Sequence, residues 1–133
     1  MAFFVEPASI TKVVSAIWSK MVGNNFTVAS TGTYNFQFSA VFKKVQGGNI
    51  EFVSVWLEQN GNPVPWSNTD MSMANNNELI VAAWNFVIEM NANDFVELKW
   101  SSTTTAMQMV GLAPQSNPSR PGTTSLIVTL TQI

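Results

Sequence analysis

A strict alternation of apolar and polar side chains over residues 32–42 constrains this chain more than any other feature. A period of two places successive side chains on opposite faces of a strand, whereas a helix repeats about every 3.6 residues. Hydroxyl and amide side chains occupy one face, so the pattern predicts an antiparallel strand that is covered on the other side. The covered face is expected to hold Tyr34, Phe36, Phe38, Ala40 and Phe42.

Most of the remaining chain predicts further short strands separated by turns. Gly47 and Gly48 are expected to close a hairpin between 32–42 and 50–59, and Asn60-Gly61 supplies the positive φ of the next tight turn. The other expected strands are 26–28, 79–90, 96–101 and 125–133, with a turn at 91–94. Three segments stay open: 10–22 as a strand or short helix, 66–78 as an edge strand or loop, and 79–90 with a helix as the competing structure. Residues 101–124 are expected to form a long connection.

This succession predicts an all-β fold. Roughly seven or eight short antiparallel strands without a confident helix are typical of a two-sheet sandwich or a barrel. A chain of 133 residues forms one domain, 1–133, and residues 1–9 are a candidate N-terminal docking segment.

Two of the predicted strands have apolar side chains on both faces. In 50–59, Phe52 and Trp56 lie on one face of the strand, and Val53, Val55 and Leu57 lie on the other. In 79–90, both faces carry mostly apolar side chains. The outer face of a sandwich strand normally meets water, so we expect a second subunit to cover these faces in a closed symmetric ring. The alternative is that a long loop of the same chain covers them.

Composition excludes several function classes. The chain has no Cys and no His, which removes thiol nucleophiles, disulfides, imidazole-based catalysis and Cys/His zinc sites. It has 14 charged residues against 45 Asn, Gln, Ser and Thr, without a basic cluster, so neither nucleic acid nor an anionic membrane is expected as a partner. The N-terminus has no cationic start followed by an apolar run, so neither a classical export signal nor a membrane anchor is expected.

The order of these signals resembles the C1q/TNF-like jelly roll over residues from about 10 to 133. Three short motifs carry the resemblance: Gly32-x-Tyr34-x-Phe36, the Leu-x-x-Asn-Gly turn at 57–61, and Asn93-Asp94 in place of the usual Gly-Asp turn. Asn at 93 is tolerable because Asn also adopts the left-handed conformation. The low charge, the abundant Asn, Ser and Thr and the absence of a collagen or heptad stalk are similar to stalkless members among virion proteins of tailed bacteriophages.

The resemblance implies a trimer whose sheets meet around a threefold axis through apolar and aromatic side chains. The side chains that we expect at this interface are Tyr34, Phe36, Phe38, Trp84, Phe86, Val128 and Leu130.

The carboxylates give only a weak indication of a metal site or a catalytic site. Asp94 could bind calcium beside Glu89 or Glu97, but no calcium-loop spacing is present and a turn Asp that binds its own backbone is the simpler role. Nothing places two carboxylates in one cleft, so neither a catalytic site, a metal nor a cofactor is expected.

Exposed apolar side chains in loops indicate partner contacts. An aromatic sugar platform could use Trp18, Tyr34, Trp66 or Trp84, and Trp66 is the best candidate because it follows Pro65 in a turn. The loop 106–121 is too apolar for a solvated connection, and Arg120, the one Arg of the chain, could bind a carboxylate. The predicted contact residues are Trp66, Met107, Met109, Leu112 and Arg120.

The leading hypothesis is therefore a non-enzymatic virion protein, a trimer that decorates or cements a capsid through its loops and N-terminal segment. The alternative is the receptor-binding head of a phage tail fibre or spike that recognises a host glycan or protein. A third hypothesis is a secreted or cellular C1q-like ligand.

Overall fold

The fold consists of two antiparallel β-sheets. The structure is a computed structural model that describes the backbone of residues 2–6 and 9–14 and all of residues 25–133. These described residues form eleven strands and no helix, which confirms the all-β prediction. The strands are β1 (Ala2–Glu6), β2 (Ser9–Val14), β3 (Asn25–Thr27), β4 (Gly32–Lys44), β5 (Glu51–Gln59), β6 (Asn62–Pro63), β7 (Thr69–Met73), β8 (Leu79–Met90), β9 (Phe95–Ser102), β10 (Met107–Met109) and β11 (Leu126–Gln132).

The first sheet is organised around β4. The strand order is β1-β2-β11-β4, and β8 lies on the free side of β4. β4 pairs with β8 over its whole length, from Gly32↔Met90 to Lys43↔Leu79. On its other side it pairs first with β11 and then with the short β10. Among the described strands β8 has β4 as its only partner, so one edge of β8 is open.

The second sheet is organised around β5. The order is β3-β9-β5, and β5 continues to β7 along its first half and to β6 along its last two residues. The β5–β6 hairpin turns at Asn60 (φ 52°) and Gly61 (φ 83°), the two positive φ values that a tight two-residue turn requires. The predicted Asn-Gly turn is confirmed.

The antiparallel pairs are nested along the chain and alternate between the sheets. The outermost of these pairs is β2–β11 in the first sheet, followed inward by β3–β9 in the second. The next is β4–β8 in the first sheet, and the innermost is β5–β7 in the second. These four strand pairs are therefore nested one inside the next along the chain, and successive pairs belong alternately to the first and the second sheet.

The core lies between the inner faces of the two sheets. Two edge-to-face aromatic pairs connect the layers: Phe26 with Phe36, whose ring centroids are 6.0 Å apart, and Phe42 with Trp100, at 5.2 Å. The predicted alternation of 32–42 is confirmed, because Tyr34, Phe36, Phe38, Ala40 and Phe42 are all buried in this core. The inner faces of the other strands are also apolar, and they contribute Val53, Val55, Leu57, Val96, Leu98, Leu126, Val128 and Leu130.

The predicted β4–β5 hairpin is wrong. β4 and β5 belong to different sheets, so the Gly47-Gly48 turn carries the chain across the sandwich. The crossing is fixed by Lys44, a fully buried side chain whose Nζ donates to the Gly47 carbonyl at 3.0 Å and to Asn76 Oδ1 at 2.7 Å. Turn residues show where a chain reverses, but not whether the next strand pairs beside the first or packs over it.

The strand assignments bear on four further predicted segments. Residues 79–90 form strand β8 rather than a helix, and 66–78 contains β7 at the edge of the second sheet. The connection 101–124 contains an unpredicted strand, β10. Of the segment 10–22, residues 10–14 belong to β2, and the rest, with Trp18, lies outside the described residues.

Candidate binding surfaces

The outer face of the first sheet exposes apolar side chains along β8 and β11. We call this surface the β8 face; its exposed apolar side chains are Leu79, Val81, Ala83, Val87 and Ile127. Val81 is 63% exposed and Val87 62%, although both lie within a regular strand. The prediction that 79–90 has two apolar faces is confirmed, and no described loop covers the outer one. The described loops therefore leave the outer face of 79–90 uncovered.

The middle of the β8 face is concave and uncharged. A groove of about 470 Å³ crosses β8, β4 and β11. Among the described side chains of β4, β8 and β11 on this face, the charged ones lie near the ends: Glu89, which accepts a hydrogen bond from Thr33 Oγ1 at 2.7 Å, and Lys43 at the other end. The groove is lined by Gln37, Phe38, Ser39, Ala83, Trp84, Asn85, Ile127 and Thr129. Amides, hydroxyls and apolar groups therefore form its whole lining.

Most of the predicted interface residues lie on the opposite, inner face of this sheet. Tyr34, Phe36, Phe38, Val128 and Leu130 are buried in the subunit's own core, so a second subunit cannot reach their side chains. Phe86 is partly buried against the same core. Trp84 faces inward beside Phe38 but is 49% exposed, because β8 is the edge strand. The surface that a second copy could contact on this sheet is instead the β8 face.

A second candidate surface surrounds Trp66 on the other sheet. Trp66 is 100% exposed, and its φ of 66° is a left-handed conformation that bulky residues rarely adopt. The turn that holds it is tightly bonded: Ser67 Oγ donates to the Val64 carbonyl at 2.8 Å and accepts from the Leu57 backbone N–H at 3.0 Å. Ser67 itself is buried, so this hydroxyl fixes the turn to β5. The predicted exposure of Trp66 is confirmed.

Polar side chains on the outer face of the second sheet surround the same turn. A groove of about 420 Å³ lies between the turn and β5, lined by Ser54, Trp56, Glu58, Pro63, Val64, Trp66, Ser67, Asn68 and Ser101. Trp56 Nε1 donates to Glu58 Oε2 at 3.0 Å. Asp70 accepts from Ser54 Oγ at 2.6 Å and from Asn68 Nδ2 at 2.9 Å, and these bonds lower the pKa of its carboxyl. Both carboxylates are held in fixed orientations.

The loop 106–121 is more internal than predicted. Met107 and Met109 belong to β10 and are fully buried, so the predicted partner contact through their side chains is wrong. Leu112 is half-buried and bonded through its backbone to Thr123 in both directions. Arg120 donates to the carbonyls of Ser116 and Pro118 at 3.1 and 3.0 Å and to Gln115 Oε1 at 2.7 Å. Its guanidinium therefore stabilises its own loop. None of these three partners is a carboxylate.

Asp94 acts as a turn residue whose carboxylate binds the backbone of its own turn. It accepts hydrogen bonds from the Asn91 backbone N–H at 2.8 Å, from Asn60 Nδ2 at 2.9 Å and from Gln59 Nε2 at 3.3 Å. All three bonds lower the pKa of the Asp94 carboxyl, the Asn91 bond most. Asn93, beside it, has the predicted left-handed conformation, with φ 74°. Asp94 therefore ties the 91–94 turn to the β5–β6 turn.

The neighbouring carboxylates have separate partners. Glu89 accepts from Thr33, and Glu97 forms an ion pair with Lys99 at 3.4 Å. Residues 25–133 contain no group of three or more acidic side chains placed to hold a metal ion. Within the described residues we also find no helix with the length and hydropathy to cross a bilayer.

A comparison of the sequence with models of known protein families finds no match, and a comparison with curated proteins finds no relative.

The conformation of Trp66 predicts an unusual effect on stability. Trp66→Gly should unfold at a higher urea concentration than Trp66→Ala, by about 1 kcal/mol in free energy, because glycine adopts φ 66° without strain. Chemical denaturation of the two variants measures the difference. Equal stability would mean that the turn relaxes around alanine.

Asp94 predicts a specific pH dependence. Its folded pKa is lowered, so the stability it contributes is present above the pKa of the unfolded chain and is lost as pH falls through the folded value. Asp94→Asn should therefore be less stable than the native chain at neutral pH, with a deficit that shrinks in acid. Urea unfolding of both proteins across this range tests it, and a deficit independent of pH would contradict it.

Proposed function

We propose that this chain is a non-enzymatic virion structural protein, a jelly-roll subunit that assembles into homotrimers and decorates or cements a capsid shell. The observation that carries the proposal is the β8 face, where exposed apolar side chains of β8 and β11 flank the amides and hydroxyls of β4 in an uncharged groove. Apolar side chains exposed together on a regular sheet mark an interaction surface, and a second copy is the occupant that we assign to it.

The nested strand pairs support the jelly-roll part of the proposal. A jelly roll is a double sheet in which antiparallel strands from the two halves of the chain pair across one another. The pairs β2–β11, β3–β9, β4–β8 and β5–β7 have this order, and they alternate between the two layers.

The β8 face has exposed apolar side chains on either side of its centre. Val81 and Val87 on β8 and Ile127 on β11 flank the central β4, and the two strands are about 10 Å apart at the usual spacing. In the proposed trimer, β8 of one copy would lie against β11 of the next, and such head-to-tail contacts form a ring where the rotation closes. Among the described strands, β8 pairs only with β4, so its other edge could add backbone hydrogen bonds to this contact.

The surface composition supports the virion part of the proposal. Hydroxyl and amide side chains dominate a chain with 14 charged residues, a composition similar to that of stalkless phage virion proteins. The rival function, a receptor-binding head on a fibre or spike, is favoured by one observation, the fully exposed Trp66.

Two added charges on the β8 face should dissociate the trimer. The native protein should have three times the 14.6 kDa mass of the chain by light scattering. Val81→Asp/Val87→Asp should be monomeric, because both side chains are exposed in the subunit and only an interface would bury the new charges.

The matched control is Ile50→Asp/Phe52→Asp. These two side chains are 60% and 48% exposed, and they lie away from the β8 face, in and beside β5 of the second sheet. The control should stay trimeric. A monomeric native protein would overturn the trimer, and equal dissociation of both variants would overturn the assignment of its interface to the β8 face.

Electron microscopy of the native particle tests the location. Threefold density on the shell, labelled by an antibody against this chain, is expected for a decoration protein. Density only at fibre or spike tips would replace the proposal with the receptor-binding head, and absence of the chain from every purified particle would contradict a virion role.

A further inference from the structure

Trp66 is a large apolar side chain that the fold holds in water. The turn around it is stiff, with Pro63 and Pro65 before it and the buried Ser67 bonded to β5 immediately after it. Flexibility therefore does not account for its exposure, and the left-handed backbone adds strain. Strained residues held in place by their surroundings occur preferentially at ligand sites.

The groove beside Trp66 combines aromatic faces with fixed polar groups. Trp56 forms its floor at the centre of β5, and its indole bonds to Glu58 Oε2 at 3.0 Å. Ser54 and Asn68, which also line the groove, donate to the Asp70 carboxylate at 2.6 and 2.9 Å. The groove volume, about 420 Å³, lies in the range of small-ligand sites.

The charge of the groove selects among ligand classes. Glu58 lines the groove and Asp70 is bonded to two of its lining residues, and the groove lining itself holds no cationic side chain. Lys99, which lies opposite Trp56 on β9, is engaged by Glu97 at 3.4 Å. Phosphates, sulfated sugars and sialylated glycans would be repelled by this field. An uncharged ligand with many hydroxyls can bond to the carboxylates and amides without that cost.

We propose that the groove between Trp56 and Trp66 binds an uncharged saccharide. The C–H face of a sugar ring lies against the electron-rich face of an indole, and its hydroxyl groups donate to the Glu58 carboxylate and bond to the side chains of Ser54 and Asn68. Ser101, from the neighbouring strand β9, adds a hydroxyl on the far side of the groove. The site belongs to the second sheet, so it is independent of the β8 face and of the trimer.

The test uses the full chain, labelled with ¹⁵N at tryptophan, and a panel of uncharged oligosaccharides built of glucose, galactose, mannose, rhamnose and N-acetylglucosamine. The chain has five tryptophans, and the indole signal that disappears in Trp66→Ala identifies Trp66. At least one oligosaccharide should shift the Trp66 and Trp56 indole signals and receive magnetisation from the protein. Trp66→Ala should weaken that binding by about tenfold or more, the effect of losing one stacked aromatic group.

The matched control is Phe52→Ala, which removes a half-exposed aromatic side chain of the same sheet that does not line the groove and should leave saccharide binding unchanged. Trp66→Ala should keep the native fold by circular dichroism, because the side chain is fully exposed. In a direct comparison, lactose, which is uncharged, should bind more tightly than its sialylated derivative.

Three results would overturn the proposal. One is the absence of any indole shift and of any transferred magnetisation with the whole panel. Another is equal loss of binding in Trp66→Ala and Phe52→Ala. The third is attachment of the protein to purified capsid shells that depends on Trp66 while no sugar binds, which would assign the groove to a protein contact. Each result leaves the oligomeric mass unaffected, so failure here is distinguishable from failure of the trimer.

Discussion

The contact between the aromatic inner face of β4 and the second sheet is the interaction on which the rest of the structure depends. Phe36 meets Phe26 at one end of this contact, and Phe42 meets Trp100 at the other, so the two layers are joined at both ends. β4 also pairs with β8, β10 and β11. Aromatic side chains bury the most apolar surface per residue, and here they lie on the one strand that every part of the first sheet requires, directly or through β11.

Sequence patterns revealed local structure well and the relation between strands poorly. The period of two in β4, β9 and β11 was sufficient to identify their inner faces, because burial on one side is a property of the strand itself. The partner of each strand was not readable. Gly47-Gly48 predicted a hairpin, but the chain crosses to the other layer, and the buried Lys44 that fixes the crossing depends on Asn76, which is distant in sequence.

The candidate surfaces were predictable only in part, because alternation shows which side chains share a face but not which face lies outside. The apolar outer positions of 79–90 could be identified from alternation, and Trp66 from its position after Pro65. The inner and outer faces could not be distinguished, so side chains such as Phe36 and Val128 were expected at an interface although they fill the core. The methionines of 106–121 were expected to contact a partner, whereas the short β10 places Met107 and Met109 inside. Three residues are too few for a period to be detected.

The two candidate surfaces lie on opposite layers and differ in chemistry. The β8 face is broad, uncharged and formed by a regular sheet, which suits a copy of the same chain. The Trp66 groove is small, acidic and held by a stiff turn, which suits a hydroxyl-rich ligand. Because each surface depends on a different sheet, the proposed assembly and the proposed saccharide binding can be altered separately by substitution.

The loop between β10 and β11 closes on itself. Leu112 and Thr123 are bonded to each other in both directions, Gln115 and Arg120 form a second such rung, and the Arg120 side chain donates to carbonyls inside the same loop. Its tip therefore depends little on the sandwich beneath it. Residues 116–119, enclosed by these rungs, form a site where evolution or an engineer could exchange or insert sequence, such as an epitope or an affinity tag, while the sandwich keeps its packing.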